Sequence, residues 1–443
     1  MTSETVLEHN RRYIPGGISS VNRSIDPPLA FVRGEGAHIW DADGRRYVDY
    51  HAGFAPYFLG HNFKPVNDAA AAQLAGGESL FGAGPSRLEG ELAELICTHV
   101  PAAQKVTFLN TGSEATSLAI RIARAVTGRQ HIIVMQGGYN GNHDELAVNV
   151  FNTAAEIGPR VSPGEYPIRP LGAGTAGQAL THAINFNDLE SVRYVCRRHP
   201  VAAVITEPVL QNIGIVKPRA GFLEGLRKLA DELGFLLIFD EVKTGFRHAL
   251  GGYSEICGVR PDLVVYGKAV ANGFPLALVG GKAEYMDHIV HADPAKRPFV
   301  AGTYNGHPVA VAAAIATVRY LAANKQSLYP QIEERGHAIE TGIAEIFRRR
   351  GITACVPRQG SAFSYYLMAE PPGDLHDIIA GHDFARDTEL RRALIERGVF
   401  FVPITTKQCS LSAAHSDADI QFTLEQMDAA IAKVWGLTRP SCR

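Results

Sequence analysis

The chain has 443 residues, of which 46% are apolar and 20% are charged, as in an ordinary globular protein. At this length it can bury a large core and divide into two or three domains. Its 43 basic and 45 acidic residues give a net charge of -2, which excludes the basic surface typical of nucleic-acid binding. We therefore expect no nucleic-acid partner.

The sequence carries no sign of secretion or of membrane insertion. Its first residues lack the basic and apolar segments of a signal peptide, and no apolar stretch is long enough to span a bilayer. The six cysteines are scattered without CxxC spacing, so reduced thiols are expected. The seventeen histidines form no HExxH or related motif, and we expect no metal site. These features predict a cytoplasmic protein.

The two ends of the chain differ in pattern from its middle. Residues 37–50 predict a β-hairpin, because two alternating apolar runs flank the turn pair Asp43 and Gly44. The C-terminal part, 326–443, carries amphipathic helix patterns and a few strand-like runs. We expect residues 1–60 to join this part in a small α+β domain built from both termini.

The middle of the chain, residues 61–325, predicts a large α/β domain. Short apolar runs alternate there with helix-like segments. The runs are residues 106–109, 132–135, 203–206, 236–239, 263–265 and 276–279. Most are apolar on both faces and rich in branched residues, which is typical of strands in a helix-covered, mostly parallel sheet. Ligands of such sheets bind at the carboxyl ends of the strands.

Two of these predicted strands end in charged side chains, Asp240 and Lys268. A lysine at a strand end is ordinarily solvated, and a buried acid is ordinarily held in a salt bridge, so each alone has a structural explanation. Together they are the two charges that pyridoxal phosphate (PLP) needs from a protein. The lysine holds the aldehyde of the cofactor, and the acid faces its pyridine nitrogen.

Residues at other strand ends can be explained either by ligand binding or by an ordinary structural role. Residues 109–115 open a helix whose backbone N–H groups favour a phosphate, although a plain helix cap explains them as well. Tyr139 can stack on a flat ring or pack in a core. Glu207 can serve a site or a salt bridge, and residues 301–308 form a turn that can reach a phosphate. The fingerprints GxGxxG, P-loop and GxSxG are absent.

In this order and spacing, these elements resemble the class III aminotransferases, which are PLP-dependent enzymes of fold type I. The resemblance rests on residues 239–247 (FDEVKTGFR), followed by 261–263 (PDL) and by Gly267 and Lys268, and it covers nearly the whole chain. It implies a mostly parallel seven-stranded sheet covered by helices, with an α+β small domain built from both termini.

The resemblance also implies roles around the cofactor ring. Lys268 matches the lysine that forms the Schiff base and moves protons. Asp240 matches the acid that keeps the pyridine nitrogen protonated. Val242 would lie against one face of the ring, and Tyr139 would stack on the other.

Further matches concern the cofactor phosphate and the partner subunit. Gly112 and Ser113 match the phosphate-binding turn. Thr303 matches a threonine that reaches the phosphate of the neighbouring subunit, which implies a homodimer. Glu207 and Asn212 would lie beside the cofactor.

Within the class, the chain is most similar to the glutamate-1-semialdehyde aminomutase branch. Residues 15–23 (PGGISSVNR) are similar to its N-terminal motif, and Arg23 falls on the arginine that binds the substrate carboxylate. Residues 207–214 (EPVLQNIG) match a second motif of this branch, and residues 412–416 resemble its C-terminal SxxH element.

Four departures from the branch bear on the reaction. Asn140 stands where the family usually has histidine, and Phe54 stands where the mutase has tryptophan. Residues 145–175 differ from the gating loop of the mutase. Lys407 stands where the mutase has a glutamate; it either creates a second carboxylate site or points to solvent.

These features predict an aminotransferase that moves an amino group from an amino acid to a keto acid. Arg23 on the N-terminal segment favours β-amino or other non-standard donors, with Phe54 against the donor side chain. The aminomutase is the alternative, and a racemase or lyase on the same scaffold is a third possibility. A non-catalytic binding protein is disfavoured, because it would need Lys268 or Asp240 altered.

Overall fold

The computed structural model describes residues 1–80, 82–173 and 177–437, and the chain divides into two compact units. The small unit comprises Met1–Phe63, Pro330–Pro371 and Gly381–Arg443, and the large unit comprises Lys64–Tyr329 and Pro372–Ala380. The three predicted domain ranges remain a prediction. One short segment, Pro372–Ala380, was expected in the small domain and belongs to the large unit.

Fourteen strands are present in the described residues. In chain order they are β1 (Phe31–Glu35), β2 (His38–Asp41), β3 (Arg46–Asp49), β4 (Lys105–Leu109), β5 (His131–Met135), β6 (Thr181–Ile184), β7 (Val201–Thr206), β8 (Leu236–Asp240), β9 (Leu263–Tyr266), β10 (Ala277–Gly281), β11 (Arg358–Gln359), β12 (Ala362–Phe363), β13 (Val399–Phe400) and β14 (Cys409–Ser410).

The same residues form thirteen α-helices. They are α1 (Ser3–Arg11), α2 (Lys64–Ala75), α3 (Arg87–His99), α4 (Gly112–Thr127), α5 (Ala154–Ile157), α6 (Leu189–Cys196), α7 (Phe222–Leu233), α8 (Tyr253–Cys257), α9 (Ala283–Met286), α10 (Pro308–Arg349), α11 (Leu375–Gly381), α12 (Phe384–Ile395) and α13 (Asp417–Val434). Within the described ranges, no helix combines the length and apolar character needed to cross a membrane.

The large unit is built on a seven-stranded sheet with the order β4-β10-β9-β8-β7-β5-β6. Adjacent strands from β9 to β6 are parallel, whereas β10 is antiparallel to both β9 and β4. Every residue of β7 and β8 is buried, because helices cover both faces of the sheet. The predicted α/β class with a mostly parallel seven-stranded sheet is confirmed. All strands except β10 therefore present their carboxyl ends at one edge.

Helix α4 begins at this carboxyl edge, directly after β4. The Thr111 hydroxyl accepts a hydrogen bond from the Glu114 N–H at 3.2 Å, and the Glu114 carboxylate accepts one from the Thr111 N–H at 2.8 Å. This capping box fixes the start of the helix. Gly128 ends the helix in the left-handed conformation, with φ 67°. Its buried face joins the sheet core through Ala115, Leu118, Ala119, Ile122 and Ala123.

The small unit joins both ends of the chain in one sheet. Strands β2 and β3 form the predicted antiparallel hairpin, and Gly44 occupies its turn with φ 84°. Strand β13 pairs with β3 in parallel, with Val399 opposite Val48, so the C-terminal part extends the N-terminal hairpin. The predicted α+β unit from both termini is therefore confirmed. Its core contains edge-to-face contacts among the rings of Tyr50, Phe363 and Phe401.

A buried ion pair holds α12 to the chain that follows β13. The Asp387 carboxylate accepts hydrogen bonds from Arg391 Nε at 2.6 Å and from the Thr406 N–H at 2.6 Å. Arg391 also donates to the carbonyl oxygens of Val402 and Lys407. Burial opposes ionisation of Asp387, but the Arg391 guanidinium outweighs it and holds the pKa of the carboxyl well below its usual range.

We predict that Asp387→Asn lowers the free energy of unfolding by about 3–5 kcal/mol, because it leaves the Arg391 guanidinium buried without its counter-charge. The lowered pKa means that the pair stabilises the fold fully above about pH 4, the ordinary pKa of an aspartate. Its contribution is lost as the pH falls through the folded-state pKa, so the variant should lose less stability in acid than the wild type. Urea denaturation at pH 7 and at pH 3 measures both effects.

The matched control is Asp68→Asn, the same chemical change in the exposed Lys64–Asp68 pair. We expect it to alter stability little at either pH. Equal effects of the two substitutions would contradict the role assigned to the buried pair.

Candidate active site

Lys268 lies just beyond the carboxyl end of β9. Its φ is 46°, in the left-handed region that costs a side-chain-bearing residue about 1 kcal/mol or more. The residue is half-buried and faces a cleft in the large unit. Burial lowers the pKa of the Lys268 amine, and the negative charges of Asp240 and Glu207 partly offset this effect. The amine is therefore closer to neutrality than a lysine in water.

Asp240 is the last residue of β8, the strand beside β9, and it is buried. One carboxylate oxygen accepts a hydrogen bond from Asn140 Nδ2 at 2.9 Å. The other accepts one from the Val242 N–H at 3.0 Å. Burial raises the pKa of Asp240, and these two hydrogen bonds together with the Lys268 charge partly offset the increase. The surroundings thus favour the ionised form at this depth, although the pKa of Asp240 stays above its usual value.

Glu207 follows β7 and connects two loops at the cleft. Its carboxylate accepts hydrogen bonds from the Tyr139 N–H at 3.1 Å and from the Gln211 N–H at 3.0 Å. Burial raises the pKa of Glu207 to about 7. Lys243 donates to the Gln211 carbonyl at 2.8 Å, and burial, together with the positive charge of Lys268, lowers the pKa of Lys243 to about 7. The cleft therefore contains four ionisable groups that are all shifted toward their neutral forms.

The amino-terminal turn of α4 forms the opposite wall of the cleft. Gly112 lies so close to Val242 that a Cβ on the glycine would come within 3.1 Å of both methyl groups of the valine. The Ser113 hydroxyl accepts a hydrogen bond from the Asn142 N–H at 3.0 Å. The free N–H groups and the positive end of the helix dipole favour an anion at this position. Tyr139 also lines the cleft, and burial raises the pKa of its hydroxyl.

The structure brings most of the predicted cofactor-binding residues together in this one cleft. They are Gly112, Ser113, Tyr139, Glu207, Asn212, Asp240, Val242 and Lys268. Thr303 is exposed and is not among the residues that line the described cleft. This position agrees with the expectation that it serves a neighbouring subunit, which stays a prediction.

The predicted substrate-binding residues all lie in the small unit. Arg23 and Phe54 line one cavity there, and the ring of His51 contacts Phe54 at a centroid distance of 4.1 Å. Phe54 has a φ of 69°, in the left-handed region. Lys407 is buried, with 4% of its surface exposed, so the alternative that it points to solvent is wrong. Two residues of the segment 145–175, numbers 174 and 175, lie outside the described residues.

Among the cleft residues that were not predicted to be functional, Lys243 and Asn140 bear most directly on its charges. Lys243 follows Asp240 and Glu241 closely in the sequence. Its position after a buried strand was the one sequence signal that could have indicated its place in the cleft. Asn140 was noted as a departure from the family, but its hydrogen bond to Asp240 joins residues that are distant in sequence. Only the fold reveals that contact.

The cleft fits the cofactor that the sequence resemblance implies. PLP presents a phosphate, a pyridine nitrogen and an aldehyde. The cleft offers a helix N-terminus at Gly112 and Ser113, a buried carboxylate at Asp240 and an amine at Lys268, respectively. Val242 and Tyr139 supply the apolar and aromatic surfaces that a flat ring needs.

Comparisons with known proteins agree with this geometry. The family model for class III aminotransferases matches residues 20–431. Glutamate-1-semialdehyde 2,1-aminomutase of Acidobacterium capsulatum is 38% identical over 95% of this chain and 96% of its own length. The crystal structure of an omega-transaminase from Sphaerobacter thermophilus has a TM-score of 0.89 and 30% identity, covering 98% of both chains.

A third similar protein is the beta-phenylalanine aminotransferase of Variovorax paradoxus. Its structure has a TM-score of 0.82 and 29% identity, and the match covers 98% of this chain and 94% of that one. Both the family model and the 38% identity extend over nearly the full length of the chain. The chain therefore belongs to the class III aminotransferases, a family of PLP-dependent enzymes.

Proposed function

We propose that this enzyme is an aminotransferase that moves an amino group from an amino acid to a keto acid, with β-amino or other non-standard amino acids among its donors. The observation that carries the proposal is the meeting of Lys268 and Asp240 in one cleft with the amino-terminal turn of α4. When bound, PLP supplies an aldehyde that takes up the amino group and a ring that withdraws electrons from the reacting carbon.

Lys268 is the proposed Schiff-base lysine and proton carrier. A general base must be partly neutral near the working pH, and burial lowers the pKa of this amine in the required direction. The carboxylates of Asp240 and Glu207 limit the decrease, so the amine can also hold a proton. Both protonation states are therefore accessible to one group, as a proton shuttle between two carbons requires.

Asp240 is proposed to hold a proton at the ring nitrogen. This role needs an ionised carboxylate, which burial opposes. The donors Asn140 and Val242 N–H favour the ionised form, and they also orient the two oxygens. Asn140 is thus proposed as a positioning residue for Asp240. Gly112 and Ser113 would hold the phosphate through their N–H groups.

The substrate residues and the partner subunit complete the proposal. Arg23 and Phe54 line one cavity of the small unit, and we propose that they bind the carboxylate and the side chain of the donor. The buried amine of Lys407 is proposed as a site for a second carboxylate. Thr303, which is exposed in the single chain, would reach the cofactor phosphate of a second copy in a homodimer.

We also propose that the enzyme works in the cytoplasm. The cysteines of the described residues are all free thiols, which suits a reducing compartment. They are Cys97, Cys196, Cys257, Cys355 and Cys409.

A second candidate function is the intramolecular transfer of glutamate-1-semialdehyde 2,1-aminomutase. It is favoured by the 38% identity to an aminomutase over 95% of the chain. Against it stand Asn140 at the cofactor, Phe54 in the small-unit cavity and Lys407, each of which departs from the mutase pattern. Similarity to the solved structures of an omega-transaminase and a beta-phenylalanine aminotransferase supports intermolecular transfer as the first candidate.

We predict that Lys268→Ala reduces turnover of every amino donor by at least about a thousandfold, because the general base alone contributes about 10²–10⁴-fold. The exposed Lys228→Ala is the matched control, and it should retain wild-type activity and cofactor absorbance. Stopped assays with pyruvate or 2-oxoglutarate as acceptor measure the rates. Activity of Lys268→Ala within tenfold of the wild type would contradict the proposed role.

The two candidate functions predict different products when the enzyme receives one substrate without an acceptor. We expect β- and aromatic amino acids to be deaminated when a keto acid is present, and glutamate-1-semialdehyde to remain unconverted without one. Chromatography of the products decides between them. Conversion of the semialdehyde alone, with no turnover across the donor panel, would establish the mutase. Repeating the panel on Lys407→Glu tests whether this lysine selects donors with a second carboxylate.

We predict that Asn140→Leu lowers kcat/KM by about 10- to 100-fold, since a hydrogen bond to a charged group contributes about 1.5–3 kcal/mol. The loss of this donor also raises the pKa of Asp240, so the pH dependence of the bound-cofactor absorbance should shift. Asn142→Leu, an exposed position two residues away, is the control. A lowered rate with an unchanged pH profile would show a packing role instead.

A further inference from the structure

Three histidines meet at the edge of the large sheet opposite to the cleft. His131 begins β5, His182 is the second residue of β6, and His199 lies just before β7. One ring nitrogen from each lies within 4.8 Å of the others. Within the described residues, this is the one group of three or more histidine, cysteine, aspartate or glutamate side chains with such a spacing. The amino ends of parallel strands meet at this edge, so the group is separate from Lys268.

The sheet register explains why these side chains converge. His182 of β6 is paired with Ile133 of β5, and His131 lies two residues before Ile133. Side chains two residues apart on a strand share a face, so His131 and His182 are diagonal neighbours on one face. The third ring belongs to His199, in the connection before β7. The His131 N–H donates a hydrogen bond to the carbonyl of the next residue, Pro200, at 3.3 Å, which holds this connection beside the start of β5.

Hydrogen bonds hold the ring nitrogens of the cluster close together. His182 Nδ1 lies 2.5 Å from the Glu165 carboxylate, and His182 Nε2 forms a hydrogen bond with His131 Nδ1 at 2.9 Å. A carboxylate that accepts a hydrogen bond from one imidazole nitrogen fixes the tautomer and leaves a lone pair on the other nitrogen, and a metal ion bound there would replace the hydrogen bond to His131. This carboxylate–histidine pair is the usual outer support of a metal-bound histidine.

Charged groups and close ring packing surround the cluster. The ring centroid of His182 lies 4.2 Å from that of His199. Arg124 is a nearby cation, but it forms an ion pair with Glu145 at 3.1 Å. Glu165 adds a negative charge beside the cluster.

We propose that His131, His182 and His199 bind one Zn²⁺ ion, with water as the fourth ligand and Glu165 as the outer support of His182. Imidazole nitrogens prefer zinc and related transition metals to Mg²⁺ or Ca²⁺. Zinc–nitrogen bonds of about 2.0–2.1 Å in a tetrahedron place the nitrogens about 3.4 Å apart. The 2.9 Å pair must open slightly, and the other separations, which are at most 4.8 Å, must close by at most about 1.4 Å through rotation of the rings.

The ion would join three strands of the sheet near its edge. It would connect edge strand β6 to β5 and to the segment before β7, and through Glu165 to the chain that precedes β6. We therefore assign it a stabilising role, independent of amino transfer. The absence of a linear metal motif does not oppose this assignment, because parallel strands bring together residues from distant parts of the sequence.

The test uses the untagged, cofactor-loaded enzyme after dialysis against a chelator. Titration with Zn²⁺ against a coloured zinc indicator should show one tight site per chain, and excess Zn²⁺ should raise the melting temperature by about 2–4 °C. X-ray absorption should report Zn–N distances of about 2.0–2.1 Å.

Variants separate this site from other zinc-binding groups. Glu165→Gln should weaken the site by about 10- to 100-fold, and His131→Ala or His199→Ala should weaken it further. His291→Ala, in the half-buried pair with His288, is the control and should bind like the wild type. Each variant should retain its fold by circular dichroism and its transaminase activity, so the result does not depend on the proposed reaction.

Two outcomes would overturn the proposal. One is a wild-type enzyme that binds no stoichiometric zinc after chelation. The other is zinc binding that is unchanged in His131→Ala and His199→Ala, which would place the metal elsewhere.

Discussion

The burial of the Asp240 carboxylate is the constraint on which the cleft depends. An unpaired carboxylate at this depth would cost several kcal/mol or would take up a proton. Two directed donors, Asn140 Nδ2 and the Val242 N–H, and the positive charge of Lys268 oppose protonation and offset part of the rise in the pKa of Asp240. These groups come from three different strand ends. The stabilisation of the ionised form of one aspartate therefore depends on the positions of the loops after β5, β8 and β9.

The cleft also balances its charges. Two acids, Asp240 and Glu207, face two amines, Lys243 and Lys268, and burial shifts the pKa of each toward the neutral form. Burial in one cleft therefore brings two acids and two amines together with less charge than they carry in water. The left-handed backbone of Lys268 adds a local conformational cost, which the surrounding structure must offset.

The sequence predicted the parts of this site that depend on local pattern. Apolar runs identified the strands, and the charged residues at or just beyond their ends pointed to Asp240 and Lys268, because ligands of parallel sheets bind at the carboxyl ends. The hairpin with Gly44 followed from turn chemistry in the same way. In contrast, the Asn140–Asp240 hydrogen bond and the place of Lys243 depend on how separate crossovers are arranged, which no local pattern encodes. The burial of Lys407 was also beyond local reasoning, since a lysine is ordinarily exposed.

The histidine cluster shows the same limit at the opposite edge of the sheet. His131 and His182 lie on neighbouring strands but far apart in sequence, because a parallel connection requires a crossover between them. A search for short metal motifs therefore fails for any site built across parallel strands. At the carboxyl edge, the rule for ligand binding in parallel sheets and the resemblance to a known family both pointed to the site. At the amino edge, register and side-chain direction are the available guides, and they place His131 and His182 on the same face, diagonally adjacent, with Glu165 behind His182.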